Sequence, residues 1–162
     1  TVVAQERRAL EHLLFRLHQA REVRTADDER FLSMAADELE DAAATVRELE
    51  AARAAVIGRL GHATLRSLAA DAPEPYASIF TDHHRALGRL AGEVGATLES
   101  TQELAVDRLA ELNGEGCRHY RRTRRARRDT DELDRAVVAA GYESVLNASS
   151  SLRLPSLVSF LA

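Results

Sequence analysis

The residues best suited to metal chemistry are His83, His84 and Glu93, which lie together in one apolar-periodic stretch of the chain. Helical bundles hold metal ions with Glu-x-x-His motifs on facing helices, and zinc proteases use His-Glu-x-x-His. Neither motif occurs here, and the other four histidines are not paired at helical spacing with a set of carboxylates. We therefore expect no metal site and no cofactor, and we expect the chain to fold without metal.

A nucleophile could be supplied by Cys117, the single cysteine of the chain. Its thiol would need a base within hydrogen-bonding reach, but His119 is two residues further on and points to a different helix face. A single cysteine also excludes an internal disulfide and is compatible with a reducing cytoplasm. The sequence predicts a cytoplasmic protein that is not an enzyme.

Seven arginines fall within residues 118–128, a density that could neutralise phosphates and give salt-dependent nucleic-acid binding. Tyr120 is the one aromatic ring there that could stack on a base. Four acids follow within 129–134, so the segment can neutralise itself or pair with acidic helices elsewhere. We expect a solvated or intramolecularly paired helix face, with nucleic-acid binding as the alternative.

The helices that carry these residues are predicted by apolar periodicity, and the longest is the stretch 75–112. Its apolar positions recur at spacings of three, four or seven: Phe80, Leu87, Val94, Leu98, Ala105, Leu109 and Leu112. Such a helix would run for roughly 55 Å, so it needs other long helices to bury its stripe. Pro75 is predicted at its first position. Gly114 and Gly116 would end it near Asn113 or merely loosen it.

Two further helices precede this one. Residues 3–24 carry a narrow apolar stripe, and Glu6 is predicted among the polar residues around it. Residues 27–60 carry a heptad with two seams, of which Arg53 alone breaks the first. The first seam comprises Leu32, Leu39, Val46, Arg53 and Leu60, and the second Ala35, Ala42, Leu49 and Val56. The stretch 61–75, with a glycine where a C-terminal cap belongs and two prolines, predicts a short helical turn and a corner.

Three glycines, Gly88, Gly92 and Gly95, lie on one side of the long helix beside its apolar stripe. Each weakens a helix by about 0.8–1 kcal/mol relative to alanine, which suggests that something approaches the backbone closely. We expect a neighbouring helix to pack against them, with a shallow groove for a partner helix as the alternative.

The C-terminal part begins after the arginines. Thr130 is predicted to cap a short helix that Gly141 closes, and 147–151 has the composition of a flexible linker. The sequence therefore predicts an all-α protein: an elongated antiparallel helical bundle of about three long helices, with a short corner helix and a C-terminal helical segment. We expect one domain, in which 1–117 form the bundle and 118–162 the arginine-rich segment and helical tail.

Three segments together resemble actinobacterial members of the FlgN-type flagellar export chaperones. They are 5–17, 46–53 and 72–87, the last reading Ala-Pro-Glu-Pro-Tyr-Ala-Ser-Ile-Phe-Thr-Asp-His-His-Arg-Ala-Leu. The resemblance covers roughly residues 5–112. It implies a cytoplasmic helical bundle without enzymatic activity, which holds hook-filament junction proteins unpolymerised and brings them to the flagellar type III export apparatus.

The resemblance also implies that the C-terminal part of the chain engages the client. Apolar stripes left exposed usually mark a partner, and amphipathic helices commonly dock on them. The predicted partner-binding residues are Leu98, Ala105, Leu109, Leu112, Leu133 and Val137. The C-terminal helix and residues 154–161 could instead fold back and fill this groove, and that alternative stays open at this point.

Other functions remain as alternatives from the sequence alone. The main one is a helical adaptor with a basic nucleic-acid-binding face, and a metalloenzyme is a more distant one. A homodimer is compatible with the helical seams. No run of 18 apolar residues occurs, so membrane insertion is not expected.

Overall fold

The computed structural model describes residues 1–25, 29–122 and 128–151 of the chain. Side-chain surroundings are described within 1–23, 30–112 and 136–148. The described residues are helical throughout most of their length, contain no strand, and form helices that pack against one another. The predicted all-α helical bundle is confirmed.

The described residues form five α-helices, two of them long helices near the N-terminus as the sequence predicts. They are α1 (Val2–Thr25), α2 (Leu32–Arg59), α3 (Leu65–Asp71), α4 (Tyr76–Arg122) and α5 (Arg128–Ser151), with a 3₁₀ turn at Glu29–Phe31. In the part of the chain that is described, no helix is both long enough and apolar enough to cross a membrane.

The corner between α2 and α4 is fixed by local hydrogen bonds. Gly61 has a φ of +82°, which suits glycine because it lacks a Cβ. The His62 N–H donates to the Ile57 carbonyl at 3.2 Å and the Gly61 N–H to the Gly58 carbonyl at 3.0 Å, which is the Schellman pattern of a helix end. The predicted C-terminal cap and corner helix are therefore confirmed.

Helix α3 begins with a capping box that the sequence analysis did not find. The Ser67 N–H donates to Thr64 Oγ1 at 3.1 Å, and the Thr64 N–H donates to Ser67 Oγ at 3.2 Å. Serine replaces the usual Glu or Gln at the third helical position, which hides the motif from a search for the common form. The paired bonds satisfy donors that a helix of seven residues would otherwise leave open.

Helix α4 is longer than predicted, with 47 residues. It begins at Tyr76, so Pro75 directly precedes the helix instead of filling its first position. It continues through Gly114 and Gly116 to Arg122, so of the two alternatives for these glycines the end of the helix near Asn113 is wrong. Glycine weakens a helix without removing a backbone donor, whereas proline removes one, and this stretch contains no proline.

Helix α5 is also longer than predicted. It passes through Gly141 and includes 147–151, so the predicted closure and flexible linker are both wrong. Val145 and Ala148, which follow Gly141, are buried. Burial of an apolar face contributes more to helix stability than intrinsic propensity does, so packing outweighs the glycine and the serines.

The first predicted seam of α2 is largely correct, and the second is displaced by one residue. Four first-seam positions are buried, and the fifth, Leu60, is exposed. Of the four second-seam residues, only Ala42 is buried; Ala35 and Leu49 are half-buried and Val56 is exposed. The neighbouring positions Ala36, Ala43 and Ile57 are buried. Alanines occupy both 35 and 36 and all of 42–44, so at these positions the sequence does not distinguish the predicted second seam from one displaced by a single residue.

The chain forms two compact units that each draw on several helices. Unit 1 contains Thr1–Phe15 and Asp41–Ala96, and unit 2 contains Arg16–Glu40 and the described residues from Thr97 onward. These units cut across the predicted division at 117/118. The single domain therefore stays a prediction.

Candidate functional site

The apolar core of unit 2 lies where the client groove was predicted. We call it the α5 cluster; its buried members are Leu32, Ala36, Ala105, Tyr142 and Val145. Five half-buried side chains pack against it: Val23, Leu109, Leu112, Val138 and Leu146. Residues from α2 and α4 thus form an apolar face, and α5 covers it.

Most of the predicted partner-binding residues are engaged within the chain itself. Leu98 and Ala105 are buried, and Leu109 and Leu112 are half-buried against the α5 cluster. Val137 is 61% exposed on α5. Leu133 belongs to α5, but its side chain lies outside the described residues. The C-terminal helix therefore folds back onto the groove, as the open alternative held, whereas 154–161 lie outside the described residues.

Helix α5 approaches α2 closely at Gly141. A Cβ atom built on Gly141 would lie 2.9 Å from the Cβ of Leu32. Real Cβ atoms essentially never come so near, and the Leu32 Cβ cannot move away by changing rotamer because it is fixed to the backbone. Glycine at this position is what allows α5 to lie directly on the start of α2.

The packing under α5 leaves a small gap. A cavity of about 10 Å³, room for roughly one water, is lined by Leu32, Thr101, Ala105, Tyr142 and neighbouring side chains. Thr101 is buried, and its hydroxyl donates to the Thr97 carbonyl at 2.7 Å, so its polar group is satisfied within α4. The rest of the lining is mainly apolar, from Ala20, Leu104 and Val145, and it also includes Arg21.

Two Gly→Ala substitutions are expected to change stability in opposite directions. Gly141→Ala should lower the free energy of unfolding by about 1–2 kcal/mol, because the clash with Leu32 outweighs the better helix propensity of alanine. Gly92→Ala should raise it by about 0.8–1 kcal/mol, because no atom lies within 4 Å of a Cβ built there. Urea unfolding followed by circular dichroism measures both, and equal signs would contradict the close approach at Gly141.

The glycine stripe of α4 has open space beside it. No heavy atom lies within 4 Å of a Cβ built at Gly88, Gly92 or Gly95. The expected close packing of a neighbouring helix against these glycines is therefore absent from the described residues. The alternative, a shallow groove for a partner helix, stays a prediction.

Unit 1 contains a buried charge pair that the sequence analysis missed. Glu6 is fully buried, and Arg53 is 9% exposed. Arg53 Nε donates to Glu6 Oε2 at 2.8 Å and to Oε1 at 3.1 Å. Glu6 was predicted among the polar residues around the α1 stripe, but its spacing of four and seven from Leu10 and Leu13 places it on that stripe. The spacing of Glu6 on the α1 stripe and the position of Arg53 in the α2 seam are the two sequence features that could have predicted this buried pair.

Burial raises the pKa of Glu6 from 4.5 to about 7. The charge of Arg53 and its hydrogen bonds lower this pKa, and the charge of Glu50 raises it, but desolvation is the largest cause. An ion pair that must give up so much hydration contributes little net stability.

The remaining candidate residues from the sequence are the metal-ligating types, Cys117 and the arginine run. Within the described ranges, no three His, Cys, Asp or Glu side chains come together in a way that could hold a metal ion. The side chains of Cys117, His119 and the arginine run lie outside the described residues. Nucleic-acid binding by that run therefore stays an alternative.

Comparisons of the chain with protein-family models, with curated proteins and with solved structures give no match. The fold and the covered apolar face define the class as an all-α helical bundle with a helix packed in a groove.

Proposed function

We propose that this chain is a cytoplasmic export chaperone of the FlgN type, which binds hook-filament junction proteins and delivers them to the flagellar type III export apparatus. The proposal rests on the sequence resemblance and on one structural observation. The apolar face of unit 2 is already occupied by an amphipathic helix, α5. A surface that accepts one amphipathic helix has the chemistry needed to accept another.

The way α5 packs defines the client helix that would fit. Val138, Tyr142 and Val145 supply apolar contacts at i, i+4 and i+7, the spacing of helix-in-groove recognition. Gly141 provides the close approach to Leu32. The client segment is therefore an amphipathic helix with large apolar residues at this spacing and a small residue one position before the central one.

The client would have to displace α5, at least in part. Leu109 and Leu112 remain half-buried beside the α5 cluster and offer the first apolar contacts to an incoming helix. Only molecules in which α5 is displaced can bind the client. The apparent dissociation constant of the client is therefore its intrinsic dissociation constant divided by the fraction of such molecules. A change that weakens α5 packing should tighten client binding.

Calorimetric titration against a C-terminal peptide of a hook-filament junction protein tests the proposal. Leu109→Asp and Leu112→Asp should each abolish the binding signal, since a carboxylate in the apolar face is left without a partner. Gly141→Ala should tighten binding.

Leu60→Asp is the matched control, because Leu60 is an exposed leucine in unit 1 and its replacement should leave binding unchanged. Circular dichroism must show that every variant stays helical. Unchanged affinity in both Leu109→Asp and Leu112→Asp would exclude the proposed groove.

A further inference from the structure

The helices paired through Glu6 and Arg53 have cores that specify alignment weakly. In unit 1, α1 contributes Leu10 and Leu13 and α2 contributes Val46 and Ile57, all of them buried aliphatic residues. Aliphatic seams of this kind pack nearly as well after a shift along the helix, and uniformly aliphatic cores give poorly specified structures. Something else must select one alignment.

Only the observed alignment brings the two buried charges together. A shift of α1 by one heptad would place Glu6 at the level of Val46, which is aliphatic and buried, instead of Arg53. A half-heptad shift would place it near Ile57 or near Glu50, which carries the same charge. In each of these alignments, Glu6 and Arg53 would be buried but no longer in contact with each other, which is strongly unfavourable.

We propose that Glu6 and Arg53 form a register lock, a buried pair that excludes alternative alignments of α1 on α2 while adding little to the stability of the correct one. The geometry of the pair supports a role in selecting the alignment. Arg53 Nε contacts both oxygens of Glu6, so one donor serves the whole carboxylate and a shift of a single turn breaks both hydrogen bonds at once. The exposed pair Arg7–Glu11 has no such effect, because both of its residues lie on α1 and the pair is unchanged by a shift of α1 on α2.

Two double variants test the register lock. The first, Glu6→Leu with Arg53→Leu, replaces both charges by aliphatic residues of the seam. Its midpoint of urea unfolding should equal or exceed that of the unchanged protein. It should nevertheless populate more than one state, seen as additional amide resonances in ¹H–¹⁵N correlation spectra or as mixed masses in light scattering. The second, Glu6→Arg with Arg53→Glu, exchanges the charges and should restore a single state.

Each outcome decides the proposal. If the leucine double variant is folded and gives one set of resonances at the mass of the unchanged protein, the pair does not select the alignment. If that variant fails to fold, the pair supplies stability, which also contradicts the proposal. Several states in the leucine variant and one in the charge-exchanged variant support it.

Discussion

Replacing Arg53 by leucine is expected to lower the free energy of unfolding by about 3–5 kcal/mol near neutral pH. The substitution leaves the Glu6 carboxylate fully buried without the guanidinium that contacts both of its oxygens. Removing one partner of a buried pair is much more costly than removing both, because the remaining carboxyl group must either stay charged in the core without compensation or take up a proton. Urea unfolding followed by circular dichroism measures the loss.

The loss should depend on pH with a definite sign. The folded-state pKa of Glu6 is raised to about 7 from 4.5, and removing Arg53, which lowers it, raises it further. A raised folded-state pKa means that the folded chain binds more protons than the unfolded chain, so stability falls as pH rises between these values. The penalty of Arg53→Leu should therefore be smaller at about pH 5 than at about pH 8.

Arg7→Leu is the control for this experiment. Arg7 forms an exposed pair with Glu11 at 3.0 Å, and exposed pairs contribute about 0–1 kcal/mol. A loss in Arg53→Leu no larger than that of Arg7→Leu would show that Glu6 is not buried as described.

Replacing Tyr142 by alanine is expected to lower the free energy of unfolding by about 3–5 kcal/mol, the usual cost of removing a large aromatic side chain from a core. Tyr142 is 1% exposed and is among the largest fully buried side chains of the described residues. Its removal would enlarge the cavity that already lies beneath α5. Circular dichroism during urea unfolding measures the change.

Tyr76→Ala is the matched control, because Tyr76 is 56% exposed at the start of α4 and its replacement should have a much smaller effect. Since the chain contains two compact units, the unfolding curve of each variant should be examined for two transitions. Equal losses in the two tyrosine variants would contradict the position of α5 on its cluster.

The long helices and their corner could be predicted from the sequence because apolar periodicity and proline positions determine them locally. The length of α5 could not, since Gly141 and the serines of 147–151 are poor helix residues and only contact with Leu32 and the α5 cluster explains why the helix continues. Local propensity is a weak guide wherever tertiary packing decides the outcome.

The buried pair illustrates a different limit. Arg53 was identified from sequence as the exception in an apolar seam, but its partner lies 47 residues away on another helix. Periodicity places a residue on a face of its own helix and says nothing about which face meets it. The same limit applies to Ala105, Leu109 and Leu112, which the sequence places on one apolar stripe of α4 without indicating that α5 packs against it.

The close approach at Gly141 also determines how this protein can diverge. At 88, 92 and 95 a side chain has room, so substitutions there should accumulate freely in related sequences unless a partner uses that face. At 141 even a methyl group meets the Leu32 Cβ, so a larger residue can be accepted only together with glycine at 32, which has no Cβ, or with a displaced α5. Positions 32 and 141 should therefore evolve as a correlated pair, and a lineage that loses this glycine should also have changed how its C-terminal helix packs.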